Sequence, residues 1–545
     1  MNDFGWLTVL LLVPLVGGVG VLLLPRDHPL FAKRAALGVS LVELVLAIIT
    51  CASFTQGQPG FQFVQKYSWI SDFGISYQVG ADGISLVLIA LSAVMVPVVI
   101  LGSWHDADKI EATGRRSVPA FFALILLLEA GMVGVFAATD LFLFYVLFEL
   151  ILIPMYFLIG SFGGPQRQYA AVKFLLYSLF GGLIMLAAVI GLYVLSTQQF
   201  PTGTFDYTAL LNLNITPGVE KLLFWGFFLA FAIKAPLVPF HTWLPDAGAE
   251  APAGSAALLV GVLDKIGTFG LIRYCIPLFP EASRYFAPLV LVLAVIGILY
   301  GALLAMGQRD MKRFVAYTSI AHFGFIALGT FALTSQGGTG AVLYMVNHGL
   351  STGALFLVVG FLIARRGSKD PAAFGGWSKI TPLLSGCFLF IGLSSLALPG
   401  MSTFVSEFLV LVGTFTRYKV AAILATIGII LAALYILLVY QRTMQGPLSQ
   451  GVLGALRRRG SGRAQPVAEP DDAGNLRIRD LTGREAWVLA PLMGLILVLG
   501  IYPKPVIDTI RPTVDATLQQ IHQRDPAPTY PVAPVANVAQ PGGGP

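Results

Sequence analysis

Two lysines, Lys234 and Lys265, lie inside apolar segments that are otherwise typical of membrane-spanning helices. A lysine held at the middle of a bilayer costs about 3 kcal/mol on insertion scales, so chains that keep one usually place it along an ion path. Five further ionisable residues occur in comparable surroundings: Glu129, Glu149, Glu407, His322 and His348. Together these side chains indicate proton transfer inside a membrane.

The composition is that of a polytopic membrane protein. Of 545 residues, 56% are hydrophobic and only 11% are charged, whereas soluble domains carry about 25% charged residues. About fourteen apolar runs are long enough to span a bilayer as helices. We therefore predict an all-α, polytopic membrane fold with about 14 transmembrane helices.

Basic residues predict the orientation of these helices. Most Lys and Arg residues fall in alternate loops, at positions such as Arg26, Arg115, Lys312 and Arg365. Loops rich in Lys and Arg stay on the cytoplasmic side. Both termini are therefore predicted on the outer side. The same bias accounts for the net charge of +6, so no nucleic-acid partner is expected.

Two of the predicted helices are interrupted. Helix 7 meets Pro236 two residues after Lys234, and helix 12 contains Pro399 near its middle. Proline breaks the backbone ladder of a helix, and broken helices at membrane depth line protein or a cavity. Breaks in matching places of successive blocks predict two inverted five-helix repeats, helices 4–8 and helices 9–13. The alternative is a pair of unrelated proline kinks.

The predicted domain organisation follows from these runs. Its parts are helices 1–3 (residues 1–117), the first repeat (118–277), the second repeat (285–441), a cytoplasmic Arg-rich loop (442–485), helix 14 (486–502) and an outward-facing flexible tail (503–545). The loop is either a solvated linker that touches lipid headgroups or a docking site for a neighbouring protein. The end of the tail is rich in Pro, Ala and Gly, a composition typical of disorder.

No motif in the chain predicts a cofactor. Cys51, Cys275 and Cys387 are far apart and form no CxxC pair or Cys/His cluster. Neither a dinucleotide-binding fingerprint nor a phosphate-binding loop is present in the sequence. We expect the driving energy to come from a partner or from an ion gradient.

Six segments between about residues 140 and 415 resemble the antiporter-like subunits of respiratory complex I. They are DLFLFYVLFELILIPMYFLIG, KAPLVPFHTWLPDAGAEAP, LDKIGTFGLIRY, DMKRFVAYTSIAHFGF, NHGLSTGALFLVVG and LPGMSTFVSEFLVLVGTF. The chain is most similar to the M type of bacterial NADH–quinone oxidoreductase. Glu407 stands where the L and N types usually have lysine, and the long lateral helix of the L type is missing.

The resemblance implies a proton-translocating membrane-arm subunit of an enzyme, in a bacterial plasma membrane. It implies that this chain holds no cofactor, because flavin, iron–sulfur clusters and quinone belong to partner subunits. The implied partners are neighbouring L-type and N-type antiporter-like subunits and the lipid bilayer.

The resemblance also assigns roles to the buried ionisable residues. Glu149 and Lys234 would form a loading pair, because desolvation disfavours each isolated charge and mutual contact favours both. Lys265 would be the mid-membrane proton carrier, and Glu407 the exit site. The alternative for Glu149 and Lys234 is a static structural ion pair.

His322 and His348 would relay protons, since histidine titrates near physiological pH. The alternative is that each is a structural core residue. Hydroxyls and an amide near them could complete a proton wire: Tyr317, Thr318, Ser319 and Asn347.

Four other residues receive weaker assignments. Glu129 is a second-line acid, and His241 lies nearer the cytoplasmic surface with a doubtful role. Tyr435 either donates to the exit path or simply packs. Glu43 lies outside the repeats and is expected to contact lipid headgroups or a neighbouring subunit. Asp264 adjoins Lys265, but neighbouring helical side chains point about 100° apart, so the two need not pair.

Three other functions are compatible with parts of this pattern. The first is a subunit of a multisubunit cation/proton antiporter, a secondary transporter with the same repeat. The second is a membrane scaffold whose charges only hold its neighbours. The third is a quinone-binding redox enzyme, which the lack of a metal or haem ligand set disfavours.

Overall fold

The computed structural model describes residues 4–108, 117–448, 468–470 and 476–527. These residues are mostly helical, which confirms the predicted fold class. Eleven of the described helices are long and apolar enough to cross a membrane. The helices that precede the first interruption are α1 (Trp6–Leu22), α2 (Pro29–Ser53), α3 (Gly83–Gly102), α4 (Val118–Ala137), α5 (Leu141–Phe162) and α6 (Arg167–Gln199).

The remaining helices include both interrupted ones. They are α7a (Pro217–Lys234), α7b (Trp243–Glu250), α8 (Ala253–Leu278), α9 (Pro280–Met306), α10 (Met311–Phe331), α11 (Ser335–Arg366), α12a (Pro382–Ser395), α12b (Ser402–Arg417), α13 (Lys419–Met444), α14 (Gly483–Ile501) and α15 (Lys504–Gln520). The eleven apolar helices, α1 and the two interrupted helices correspond to the predicted runs. The number of membrane crossings and the inverted relation of the repeats stay predictions.

Both predicted helix breaks are present, and each is held by a side chain. At the first break, Trp243 Nε1 donates to the carbonyl of Ile233 at 2.8 Å. At the second, Thr403 Oγ1 donates to the carbonyl of Ser394. A break frees backbone carbonyls that cannot bond to water inside a membrane, so these donors stabilise the interruption.

A β-hairpin that the sequence analysis does not predict joins α2 to α3. Strands β1 (Gln62–Ile70) and β2 (Ile75–Ala81) pair antiparallel. Asp140 caps α5 and also accepts a hydrogen bond from Ser76 N at 3.0 Å, which ties the hairpin to the first repeat. A second short pair, β3 (Ala468–Pro470) and β4 (Leu476–Ile478), lies in the 442–485 loop, most of which is outside the described residues.

Helix α15 corrects one part of the predicted tail. Residues Lys504–Gln520 are helical, although the sequence analysis assigns them to a flexible segment. Ile510, Val514 and Leu518 are buried on one face of α15, which packs on α3 and α11. Burial of this face stabilises a helix whose other residues are mostly polar. Residues 528–545 lie outside the described part of the chain.

The ionisable residues of interest lie in the most buried helices. The apolar stretch of α8 is completely buried, and the apolar stretches of α10 and α11 are almost completely buried. In contrast, α2, α6 and α13 expose large apolar side chains such as Ile48, Phe180 and Ile430. The outer helices therefore form an apolar outer surface and shield the centre.

Candidate functional site

Lys234 is the last residue of α7a, and its ammonium has no hydrogen-bond partner in the described part of the chain. The side chain is fully buried, and Nζ lies 4.8 Å from the centre of the Phe148 ring. Glu149, the next residue on α5, has one buried carboxylate oxygen without a partner. The two charges interact electrostatically but form no ion pair within 4 Å among the described side chains. The structure thus brings the predicted pair together without direct contact.

Gly182 of α6 determines where the Glu149 carboxylate can lie. A Cβ atom added at Gly182 would overlap that carboxylate. The glycine therefore leaves the space into which the acid projects.

The charge of Asp264 acts on both buried lysines. Its carboxylate is fully buried, neither oxygen has a hydrogen-bond partner among the described residues, and its charge interacts with both Lys265 and Lys234. It makes no hydrogen bond to its neighbour Lys265, in agreement with the divergence of adjacent helical side chains. We therefore count it among the functional candidates.

Lys265 lies where α8 departs from regular geometry. Five-residue π-helical turns, Leu259–Leu263 and Leu271–Cys275, flank it, and such turns are frequent at functional sites. The Lys265 ammonium donates to the Val260 carbonyl at 2.5 Å and contacts His348 Nδ1 at 2.5 Å.

The two histidines follow Lys265 directly. The rings of His348 and His322 meet edge to face with their centres 5.2 Å apart. His322 Nε2 is 3.2 Å from the Tyr435 hydroxyl. His348 Nε2 and His322 Nδ1 are buried without a partner among the described residues. Each ring thus keeps one nitrogen available for a further proton donor or acceptor.

Glu407 on α12b ends the row. The Tyr344 hydroxyl donates to Glu407 Oε2 at 3.2 Å, and the Tyr344 ring centre is 5.8 Å from that of His322. Asn347 on α11 donates to the carbonyl of Ser402 at 2.7 Å. The start of α12b, and with it Glu407, is thereby fixed against the histidine-bearing helix.

The secondary candidates separate into two groups. Tyr435 joins the row through His322. Glu129 is fully buried, both its oxygens lack a partner in the described ranges, and the charge that acts on it belongs to Glu43 on α2. His241 packs against the Tyr300 ring at 5.2 Å. Glu129 and His241 therefore make no direct contact with the row.

The expectation for Glu43 is wrong. Glu43 is fully buried, because its side chain points into the bundle. It therefore contacts neither lipid headgroups nor a neighbouring subunit. The wire through the hydroxyls near the histidines stays a prediction: Thr318 donates to the Val315 carbonyl of its own helix, and Ser319 has no partner among the described residues.

Sequence analysis missed Tyr344. It lies four residues before His348 on α11, so the two side chains share a helix face. That spacing was the available signal.

The comparisons with known proteins agree on one family. A family model described as "NADH:quinone oxidoreductase/Mrp antiporter, TM" matches residues 138–432. The NADH-quinone oxidoreductase subunit M of Mycobacterium tuberculosis is 49% identical over 97% of both chains. The subunit M of Rhodobacter capsulatus is 37% identical over 90% of this chain and 91% of its own.

Solved structures give the same result for the fold. A chain of respiratory complex I from Thermus thermophilus aligns with a TM-score of 0.79 and 32% identity, covering 94% of this chain and 99% of its own. A chain of the Mrp complex from Dietzia sp. also has a TM-score of 0.79 over 96% of this chain, but at 21% identity it shows the fold alone. The chain therefore belongs to the NADH:quinone oxidoreductase/Mrp antiporter family and, within it, to the M subunits of NADH-quinone oxidoreductase.

Proposed function

We propose that this M-type subunit of NADH-quinone oxidoreductase moves protons across the membrane along the buried row from Glu149 to Glu407. The observation that carries the proposal is the series of contacts that starts at Lys265 and passes through both histidines to the two tyrosines. The members of the row are Glu149, Lys234, Asp264, Lys265, His348, His322, Tyr435, Tyr344 and Glu407.

Loading takes place at Glu149 and Lys234. Burial disfavours an isolated charge on either group, whereas a close partner favours both charges. In the structure the two groups are not in contact. Burial opposes the positive charge of Lys234, and the negative charges of Glu149 and Asp264 stabilise it without direct contact. A small movement that brings Glu149 closer would retain the proton, and a movement away would release it towards Lys265.

Transfer runs from Lys265 to the histidines. A protonated Lys265 donates to the neutral His348 Nδ1, the arrangement needed for a direct proton transfer over 2.5 Å. The next step carries the proton from His348 to His322. The two nitrogens that remain free for it, His348 Nε2 and His322 Nδ1, are buried and have no partner among the described residues. Buried polar atoms of this kind are usually satisfied by water, so a water molecule can bridge the rings.

The exit has two hydroxyl contacts. Tyr435 contacts His322, and Tyr344 contacts Glu407. A hydroxyl accepts one proton while it donates another, so either tyrosine can pass a proton without becoming ionised. Glu407 then releases it on the side predicted to be outer.

Coupling energy comes from outside this chain. Each proton that moves outward opposes about 2.3 kcal/mol per 100 mV of membrane potential. We infer that flavin, iron–sulfur clusters and quinone reside in partner subunits of a translocase-class enzyme in the bacterial plasma membrane. L-type and N-type subunits would flank this one, and both termini would lie outside.

The proposal is tested by Lys265→Ala in the intact complex. We expect normal assembly and a large loss of NADH-driven proton pumping, because water cannot replace a charge at mid-membrane. Lys419→Ala, which removes an exposed lysine at the start of α13, is the matched control. Equal pumping by the two variants would make Lys265 a structural residue.

The second candidate function is a multisubunit cation/proton antiporter. It is favoured by the likeness in fold to the Mrp complex chain at 21% identity and by the matching family model, whose description covers both kinds of protein. The neighbouring genes distinguish the two: flavin, cluster and quinone subunits accompany the first, and small antiporter subunits accompany the second.

A further inference from the structure

An apolar groove lies between α2, α3, α11, α14 and the start of α15. This outer groove has a volume of about 290 Å³, and its walls include Phe54, Leu91, Val94, Leu350, Leu495 and Val506. The bordering helices α2 and α14 expose Ile48 and Val498 to the surroundings. The groove therefore faces the hydrocarbon of the leaflet predicted to be outer.

A polar cavity continues the outer groove at the membrane surface. It measures about 630 Å³, and its lining includes Gln56, Asp508, Arg511, Asp515 and Gln519. Gln56 borders both spaces, and α15 runs along both. One molecule with an apolar end and a polar end could therefore occupy the two together.

The polar cavity offers opposite charges side by side. Within the described part of the chain, the Arg511 guanidinium makes a single long contact, 3.8 Å from Nε to Asp515, so its terminal N–H groups can donate to phosphate oxygens. Asp515 already accepts a hydrogen bond from the Ser335 hydroxyl. A carboxylate has several acceptor positions, so Asp515 can also bind an ammonium group.

We propose that a phospholipid with a zwitterionic, ammonium-bearing headgroup of the ethanolamine class binds here. One acyl chain fills the outer groove, the phosphate meets Arg511, and the ammonium meets Asp515. Apolar walls give water few partners, and in a bilayer the medium that fills such a groove is the acyl chain. The headgroup assignment rests on charge complementarity. The site is separate from the proton row and does not depend on its function.

Photolabelling of the intact complex tests this site. The complex is placed in lipid nanodiscs that contain phosphatidylethanolamine with a diazirine on one acyl chain, and labelled peptides are mapped after irradiation. We expect labels on α3 between Leu86 and Val94 and near Val506. Matched nanodiscs with phosphatidylglycerol or phosphatidylcholine probes should label these peptides at least about fivefold less.

Two variants separate the acyl and headgroup contacts. Ala90→Phe fills the outer groove and should abolish the labels, whereas Ile430→Phe enlarges a lipid-facing side chain on α13 and should not. Arg511→Gln changes an exposed residue, so folding is preserved, and it should remove the preference for ethanolamine lipid. Unchanged labelling of Ala90→Phe, equal labelling by all three lipids, or no label on α3 and near Val506 would overturn the proposal.

Discussion

At the scale of single residues, the proposed relay depends on position as much as on charge. Glu149 and Lys234 interact without touching, and a glycine, Gly182, leaves room for the carboxylate. The loading step therefore responds to small movements of either helix. A change that moves the carboxylate and keeps every charge should impair transport.

Gly182→Ala makes this change. The new Cβ displaces the Glu149 carboxylate, and we expect proton pumping by the assembled complex to fall about tenfold or more, because small misplacements of reacting groups are costly. Gly191→Ala on the same helix is the control, since its Cβ would meet only the end of the Leu223 side chain at 2.9 Å. Undiminished pumping by Gly182→Ala would show that the position of Glu149 does not matter.

The two tyrosines at the exit provide a second test. If Tyr344 and Tyr435 offer parallel routes, each change to Phe alone should lower pumping moderately, because the other hydroxyl still serves. The double variant should lose far more than the sum of the two, because it removes both hydroxyls that can serve in place of each other. Strictly additive losses of pumping rate would contradict parallel routes.

Most of the candidate site is predictable from the sequence, because a charge inside an apolar helix is conspicuous. Lys234, Lys265 and Glu407 were identified in that way. Tyr344 was not, since tyrosine in an apolar helix is common and its partner lies 63 positions away. The burial of Glu43 could not be predicted from the sequence either, because the face of α2 that contacts other helices is determined by tertiary packing.

At the scale of helices, the interruptions were predictable and the surface elements were not. Proline marks both breaks, but the donors that stabilise them, Trp243 and Thr403, depend on tertiary geometry. The β-hairpin and α15 are short and stabilised by packing, so local sequence patterns alone did not predict them.

The second interruption depends on a glycine in a left-handed conformation. Gly400 has φ +92°, and an alanine there should destabilise the subunit by about 1 kcal/mol. Apart from its two chain neighbours, no described residue comes within 4 Å of a Cβ at this position, so the effect arises from the backbone alone. Gly386→Ala, in regular helix α12a with equally open space, should cause no loss. Thermal unfolding of the purified complex measures both.

The hairpin is fixed by an ion pair that persists at physiological pH. Burial opposes ionisation of Asp206, yet hydrogen bonds from Lys66 and Thr208 hold its pKa at about 2. Because the pKa is depressed, this contribution is present above the unfolded value near 4 and is lost only as the pH falls towards 2. Above pH 5, hairpin stability should therefore show no pH dependence from this pair.

Asp206→Ala, which removes both the charge and the helix cap, should loosen the hairpin more than Lys66→Gln does. Asp206 also caps the helical turn Tyr207–Leu210, whereas Lys66 is half-exposed, and exposed ion pairs contribute about 1 kcal/mol or less. Hydrogen exchange of residues 62–81 in the purified complex reports the difference. Faster exchange in Lys66→Gln than in Asp206→Ala would contradict this ranking.

At the scale of the whole molecule, the predicted orientation determines the direction of transport. Lys379 and Lys419 are both exposed and lie at opposite ends of the second interrupted helix. In a background without native cysteines, Lys419→Cys should react with an impermeant maleimide applied to intact cells. Lys379→Cys should react only after the membrane is opened. The reverse pattern would show that the chain has the opposite orientation in the membrane, and Glu407 would then be an entry site.

The central claim is that protons cross this chain through the row that ends at Glu407. The most direct measurement is the number of protons translocated per NADH oxidised by vesicles that carry Glu407→Gln. Glutamine keeps the shape of the side chain and can accept from Tyr344, but it cannot ionise. Glu281→Gln, at an exposed acid on α9, is the control. The account predicts normal assembly with a lowered ratio for Glu407→Gln alone, and an unchanged ratio would contradict it.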